Sequence, residues 1–194
     1  MNVIYPLAAQ DRGEILEHLL SLSADDRRLR FGTPASDSEV AHYVEGIAFG
    51  RDAVFGVRDE ANALVGMTHV AQAGELAELG LSVAEGQRGR GLARAMFRRA
   101  ALHARNRGIR ELHVHCLAEN GAILHLAREA GLRIVVDGRE REAWLALASA
   151  MPPSIGGQLR AKPLALVDAA LRTATHDTRA RSNAADRALE YDPA

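Results

Sequence analysis

A single cysteine, Cys116, stands in a chain of 194 residues, so no internal disulfide can form and a reducing compartment is expected. Aromatic residues amount to 4%, which leaves few rings for stacking on bases. Acidic and basic residues nearly cancel, at a formal charge of −1. Together these argue against a nucleic-acid partner. No run approaches the ~20 apolar residues of a membrane-spanning helix. Residues 1–9 carry no basic segment ahead of an apolar stretch, so no membrane partner is expected and the protein is read as cytoplasmic. Lysine occurs once, at Lys162, so the chain can hardly be its own substrate for lysine modification. What is plentiful is apolar: 47% of residues are hydrophobic, enough for one domain with a sizeable core plus an appendage.

Periodicity divides the chain into short elements. Val3, Tyr5 and Leu7 alternate as a strand, and Ile15, Leu16, Leu19, Leu20 and Leu22 recur at helical spacing over 11–22. Ser23 followed by Asp25 and Asp26 predicts an N-cap and a helix toward Arg30, broken by Gly32-Thr33-Pro34. Ser36 or Asp37 caps the next helix, to about Ile47. Three strands follow, over 53–57, 64–70 and 76–83, turning at 59–62 and at Gly74-Glu75. A glycine-rich loop over 85–91 leads into an amphipathic helix over 92–106 that Gly108 ends. A strand over 109–117, a helix from Glu119-Asn120 to Gly131, and strands over 132–136 and 142–148 joined at Asp137-Gly138 complete the pattern. Pro152-Pro153 marks a boundary between a domain over 1–150 and an extension over 151–194, which holds one amphipathic stretch over 159–171 and a polar tail.

A glycine loop opening a helix gathers free backbone N–H groups at the positive end of a helix dipole, which is an anion site suited to a pyrophosphate. Glycines 86, 89 and 91 are followed by no Lys-Ser or Lys-Thr, which excludes a Walker loop, and position 94 is Arg, which breaks Gly-x-Gly-x-x-Gly. No βαβ unit followed by a ribose-binding acid is evident, so a dinucleotide fold is disfavoured. His113 and His115 alternate with Cys116 across a strand, so they do not converge on a metal, and no metal is expected.

Arg88-Gly89-Arg90-Gly91-Leu92-Ala93 resembles the acyl-CoA signature of the GNAT acetyltransferase family, Arg/Gln-x-x-Gly-x-Gly/Ala. The strand Leu79–Val83, the helix ended by Arg107-Gly108, and Asn120 eleven residues before Gly131-Leu132 stand where that family has its counterparts. The resemblance implies a mixed, mostly antiparallel α/β sheet with helices on both faces. It also implies acetyl-CoA as acyl donor and transfer of the acetyl group to an amine, in a protein lysine or a small molecule. Backbone groups of Arg88, Gly89, Arg90, Gly91, Leu92 and Ala93 would hold the pyrophosphate, and Leu81, Ser82 and Val83 would line the pantetheine, with Asn120 beside the thiol arm. Direct attack needs no Cys or Ser nucleophile, so catalysis would rest on positioning, oxyanion stabilisation and proton removal. Among the arginines, Arg88 and Arg90 are the candidates for phosphate contact, and Arg98 and Arg99 are read as a solvated helix face.

Leu22-Ser23 with Arg27-Arg28-Leu29-Arg30-Phe31, and the pair Ala77-Glu78, resemble the bacterial protein-lysine acetyltransferase branch of the family. That likeness makes Glu78 the candidate general base, directly or through water; the alternative is a solvent-facing strand residue. His69 either faces the substrate groove or is a polar surface residue. Many members of the family carry a tyrosine, the general acid for the leaving thiolate, at the position that is Ala127 here. His125, two helical positions away, is expected to point about 200° from that face. A non-catalytic acyl-CoA-binding module on the same fold is therefore the rival reading. The sequence leaves the oligomeric state open, a homodimer included.

Overall fold

A computed structural model describes residues 3–137 and 140–147, with backbone alone over 135–146. The extension over 151–194, its helical stretch over 159–171 and Gly138 of the expected hairpin turn lie outside the described residues. Strand β1 (Tyr5–Leu7) leads through a 3-10 turn (Ala9–Asp11) to helices α1 (Arg12–Leu20), α2 (Ala24–Phe31) and α3 (Asp37–Gly46). Strands β2 (Ala53–Arg58), β3 (Leu64–Ala73) and β4 (Leu76–Val83) follow, then α4 (Leu92–Asn106), β5 (Glu111–Leu117), α5 (Gly121–Glu129), β6 (Arg133–Asp137) and β7 (Glu140–Ala146). They form one seven-stranded sheet in the order β1-β2-β3-β4-β5-β7-β6. Every neighbouring pair is antiparallel except β4 and β5.

The element boundaries have local causes. The Ser23 hydroxyl accepts from Asp26 N–H and starts α2. Ser36 and Glu39 cap α3 reciprocally, each side chain accepting the other's backbone N–H. α2 ends on Gly32 in the left-handed region (φ 80°) and α4 is followed by Gly108 there (φ 76°), a backbone conformation that costs any residue with a Cβ. The turn between β2 and β3 has Asn62 at φ 68° and an Asp59 carboxylate that accepts from Ala63 N–H.

Alternation along the strands feeds two cores. Met67 and Val54 join Ile15, Leu19, Val40 and Val44 beneath α1 and α3. On the opposite face, Val70, Leu79 and Leu112 pack with Phe97, Ala100 and Leu126 from α4 and α5. Full burial of one such side chain contributes about 1.5–3 kcal/mol. Arg12 joins α1 to the end of α3 by donating to the Val44 and Ile47 carbonyls.

The parallel pair is what positions the site. β4, α4 and β5 make a βαβ unit, both strands supplying interior apolar positions to the same helix. Unlike a dinucleotide fold, its pairing spans only Leu76–Glu78 against Glu111–His113. Beyond Glu78, β4 stays registered with β3 as far as Val83 while its other edge has no strand partner among the described residues.

Candidate functional site

Ala84 N–H donates to the Val65 carbonyl on β3. Alternation therefore turns the backbone polar groups of Leu79, Leu81 and Val83 toward the open side. A cavity of about 660 Å³ occupies that side, bounded by Leu81–Val83, the glycine turn, the first turn of α4, the exposed face of α5 and residues of α2. Its walls are apolar at Leu81, Val83, Leu92 and Ile123 and carry Arg88 and Arg94 at the rim.

Gly89 and Gly91 both sit at φ 74° with open space around their missing Cβ positions, so they bring backbone to the cavity with no side chain in the way. The first backbone bond of α4 runs from Ala95 N–H to the Gly91 carbonyl. The N–H groups of Leu92, Ala93 and Arg94 thus precede the first intrahelical bond. Arg88 N–H, by contrast, donates to Glu85 within the 3-10 turn (Glu85–Gln87).

The arginines differ from one another more than the sequence implied. Arg88 Nη2 lies 2.6 Å from Asp26 Oδ1, and Arg88 Nε donates to the Val83 carbonyl at 3.4 Å. Burial opposes ionisation of Asp26, but Arg88 and Ser23 outweigh it and hold the carboxyl below its ordinary value. A half-exposed pair of this kind contributes ~0.2–1 kcal/mol, so Arg88 can exchange Asp26 for a phosphate. Arg90 does not line this cavity; it borders a separate depression with Tyr5, Val57 and Glu60. Arg94 pairs with Glu129 at 2.5 Å across the rim. Arg99 is half-buried and not simply part of a solvated face: its guanidinium lies 4.5 Å over the Phe55 ring, and burial lowers its pKa.

A smaller cavity of about 150 Å³ adjoins the first, sharing Leu29, Arg30, Leu81, Asn120 and Ile123 with it. Glu78 is exposed and lines it together with Tyr43 and Gly80. Arg30 Nη2 donates to Tyr43 Oη at 2.7 Å, its guanidinium 5.3 Å from the centre of that ring. Tyr43 Oη in turn lies 2.7 Å from His69 Nδ1. His69 is buried, contacts Asp52 and is absent from the lining of both cavities, so it is not a surface residue and meets the smaller cavity only through Tyr43. Sequence reasoning missed Tyr43 and Asp52, and named Arg30 only within a motif. Behind β4, His18 of α1 is buried with its Nε2 2.9 Å from Ser82 Oγ. Burial pushes its imidazole down to about 4, against the Leu64 carbonyl and with the Arg30 cation adding to the fall.

Asn120 caps α5 by accepting from Ile123 N–H and donates to the Leu29 carbonyl, fixing α5 against α2 across the shared wall. Ala127 is buried in the core under α5. His125 points away from the buried Ala127 face, as the helical spacing expects, and it is this exposed face of α5 that bounds the large cavity, with His125 in its lining and 3.6 Å from Glu129. Among the described residues, no group of three or more His, Cys, Asp or Glu could hold a metal, and no helix is long and apolar enough to cross a membrane.

Comparison with known proteins agrees with this architecture. No curated protein matches the sequence. Among solved structures, the GNAT domain of S. lividans PAT superposes with a TM-score of 0.64 at 19% identity, covering 74% of this chain and 89% of that one. The ribosomal-protein-S18-alanine N-acetyltransferase from Escherichia coli gives 0.61 at 19%, over 78% and 97%. Spermidine N-acetyltransferase from Vibrio cholerae, in complex with CoA and spermine, gives 0.59 at 20%, over 75% and 95%. At such identities these likenesses concern the fold. The profile of the acetyltransferase (GNAT) domain matches residues 3–133, well over half of the sequence, and the chain belongs to the GNAT acetyltransferase family.

Proposed function

We propose that this protein is an N-acyltransferase that binds acetyl-CoA, or a close acyl-CoA, and transfers the acyl group to an amine by direct attack. The observation that carries this reading is the opening between β4 and β5, which begins after Glu78 and ends at the glycine turn. A long, mostly apolar slot with free β4 backbone on one side and helix N–H groups at its end suits a pantetheine ending in a pyrophosphate. Leu81, Ser82 and Val83 would line the pantetheine arm. Gly89, Arg90, Gly91, Leu92 and Ala93 would present backbone N–H groups to the phosphates, with the Arg88 side chain beside them and Asn120 near the thiol.

The amine would enter through the smaller cavity, whose lining includes Glu78, Tyr43 and His115 as groups able to receive a proton, Glu78 directly or through water. One carboxylate against the Arg30 cation disfavours a polycation there, which supports a protein lysine or a small amine of low charge. The Leu22–Phe31 segment and the likeness to the GNAT domain of S. lividans PAT point the same way.

Calorimetry with acetyl-CoA tests the reading, alongside a Gly89→Glu/Gly91→Glu variant. Micromolar binding by the wild type and at least tenfold weaker binding by the variant are expected. No binding by folded wild-type protein would sink it. One observation favours a second reading, a binding module without turnover: Ala127 is buried and supplies no acid for the thiolate. Thiol release from acetyl-CoA separates the two.

A further inference from the structure

Four side chains from four segments form one hydrogen-bonded chain that ends at the smaller cavity. Asp52, just ahead of β2, accepts from Ala48 N–H and Gln72 N–H, each at 3.2 Å, and from Arg51 Nε at 2.9 Å. Burial works against this carboxylate, but Arg51 and the backbone donors hold it below its ordinary value. Its Oδ2 lies 3.2 Å from His69 Nε2. An ionised Asp52 can only accept, so Nε2 carries the imidazole proton and Nδ1 is left as an acceptor. The group 2.7 Å from Nδ1 is the Tyr43 hydroxyl, which therefore donates to it. Arg30, which can only donate, fills one lone pair of Tyr43 Oη at 2.7 Å. The phenol oxygen keeps one further acceptor position, and Tyr43 lines the cavity that holds Glu78.

We propose that Tyr43 is the catalytic base of this enzyme, taking the proton of the attacking amine and passing its own to His69, with Asp52 and Arg30 as positioning residues. The proposal deepens the acyl-CoA reading and rests on it. The free amine attacks the thioester carbonyl carbon and a C–N bond forms. The surplus proton on nitrogen moves to Tyr43 Oη as the Tyr43 hydroxyl proton moves to His69 Nδ1. The C–S bond breaks and the thiolate leaves with the electron pair. The imidazolium, held by Asp52, returns its proton to solvent or to the thiolate, so the products are the amide and free CoA.

His69 is suited to this because it is neutral at pH 7. Burial lowers its pKa and the Arg30 cation adds to that, while Asp52 and Glu78 oppose it. Among the described residues, those three and Tyr43 are the titratable or charged groups that act on it. Glu78, exposed at the same cavity, is left to attract the incoming ammonium.

Two measurements test the relay. Long-range 15N spectra of the histidines at pH 7 are expected to show His69 protonated on Nε2, with a Nδ1 resonance that shifts in Tyr43→Phe. Protonation on Nδ1 instead reverses the bond to Tyr43 and overturns the relay. Thiol release from acetyl-CoA is then followed with water alone, and with a lysine-bearing peptide, across pH 4–9. Tyr43→Phe should lower kcat by about 10²-fold with acetyl-CoA affinity within about twofold by calorimetry. It should also abolish the acidic limb of kcat/KM expected in the wild type as His69 takes up a proton. Asp52→Asn should lower kcat by about tenfold and move that limb. Glu78→Gln should raise the acceptor KM and keep the limb. Near-wild-type rates in Tyr43→Phe, or an unchanged limb, overturn the relay and leave the acyl-CoA reading intact. Wild-type protein that binds acetyl-CoA but releases no thiol with either acceptor overturns the relay and favours the binding module. Wild-type protein that does not bind acetyl-CoA overturns the parent reading as well.

Discussion

A Cβ added to Gly80 would overlap the Arg30 guanidinium, which lies against this point of β4. The obstacle is the mobile end of a long side chain, so Gly80→Ala is expected to cost less than about 1 kcal/mol of stability, the usual range for a change that a side chain can sidestep. What it displaces is the hydrogen bond from Arg30 to Tyr43. Steady-state kinetics should therefore register a loss of about tenfold in kcat/KM, equivalent to about 1.4 kcal/mol, beside a nearly unchanged urea midpoint. Unchanged kinetics would remove Arg30 from the machinery. Little of this arrangement was legible in the sequence. A glycine in a strand reads as a bulge or a close approach, but nothing local says that the approaching group comes from residue 30. Asp52, Tyr43 and His69 come from three segments, and each alone resembles an ordinary polar residue. His125 shows the same limit, since the direction of a helical side chain can be counted while the face that borders a cavity depends on packing.

At the scale of the element, the sequence was much more informative, because caps and terminators act within one turn. Ser23, Ser36, Gly32 and Gly108 bound their helices by local bonds, and the strand over 76–83 was predicted to the residue. The strand over 64–70 runs three residues further, to Ala73, because β4 offers Leu76 and Ala77 to pair Ala73 and Gln72. That partner is invisible in the strand's own pattern. Asn120 joins the local and the non-local, since one side chain starts α5 and also bonds the Leu29 carbonyl of α2. Asn120→Ala should cost about 1 kcal/mol for the lost cap. It should also weaken acetyl-CoA binding severalfold, because α2 and α5 are opposite walls of the same cavity. Thermal melts and calorimetry on one preparation would measure both, and a stability loss with unchanged affinity would reduce Asn120 to a cap.

Across the whole molecule, His18 couples the helical layer to the strand that borders the cavity, through a buried contact with Ser82. Its proton is bound near pH 4 in the fold and near 6.5 in the unfolded chain. Between those values the unfolded chain gains a proton that the fold refuses, so stability falls as pH drops from 6.5 and levels off below about 4. The gap between the two values converts to about 3 kcal/mol, a large share of the ~5–15 kcal/mol typical of a domain. His69, also lowered, acts in the same direction. The carboxylates Asp26 and Asp52 are lowered too, but a lowered acid supports the fold above its unfolded value and loses that support only at lower pH. The histidine window is therefore the one between about pH 6.5 and 4. His18→Gln keeps a polar partner for Ser82 and removes the titration. Urea midpoints taken at half-unit intervals should decline across this window in the wild type and much less in the variant. A variant with the wild-type slope would mean that the acid sensitivity lies in His69, and that the contact between α1 and β4 carries none of it.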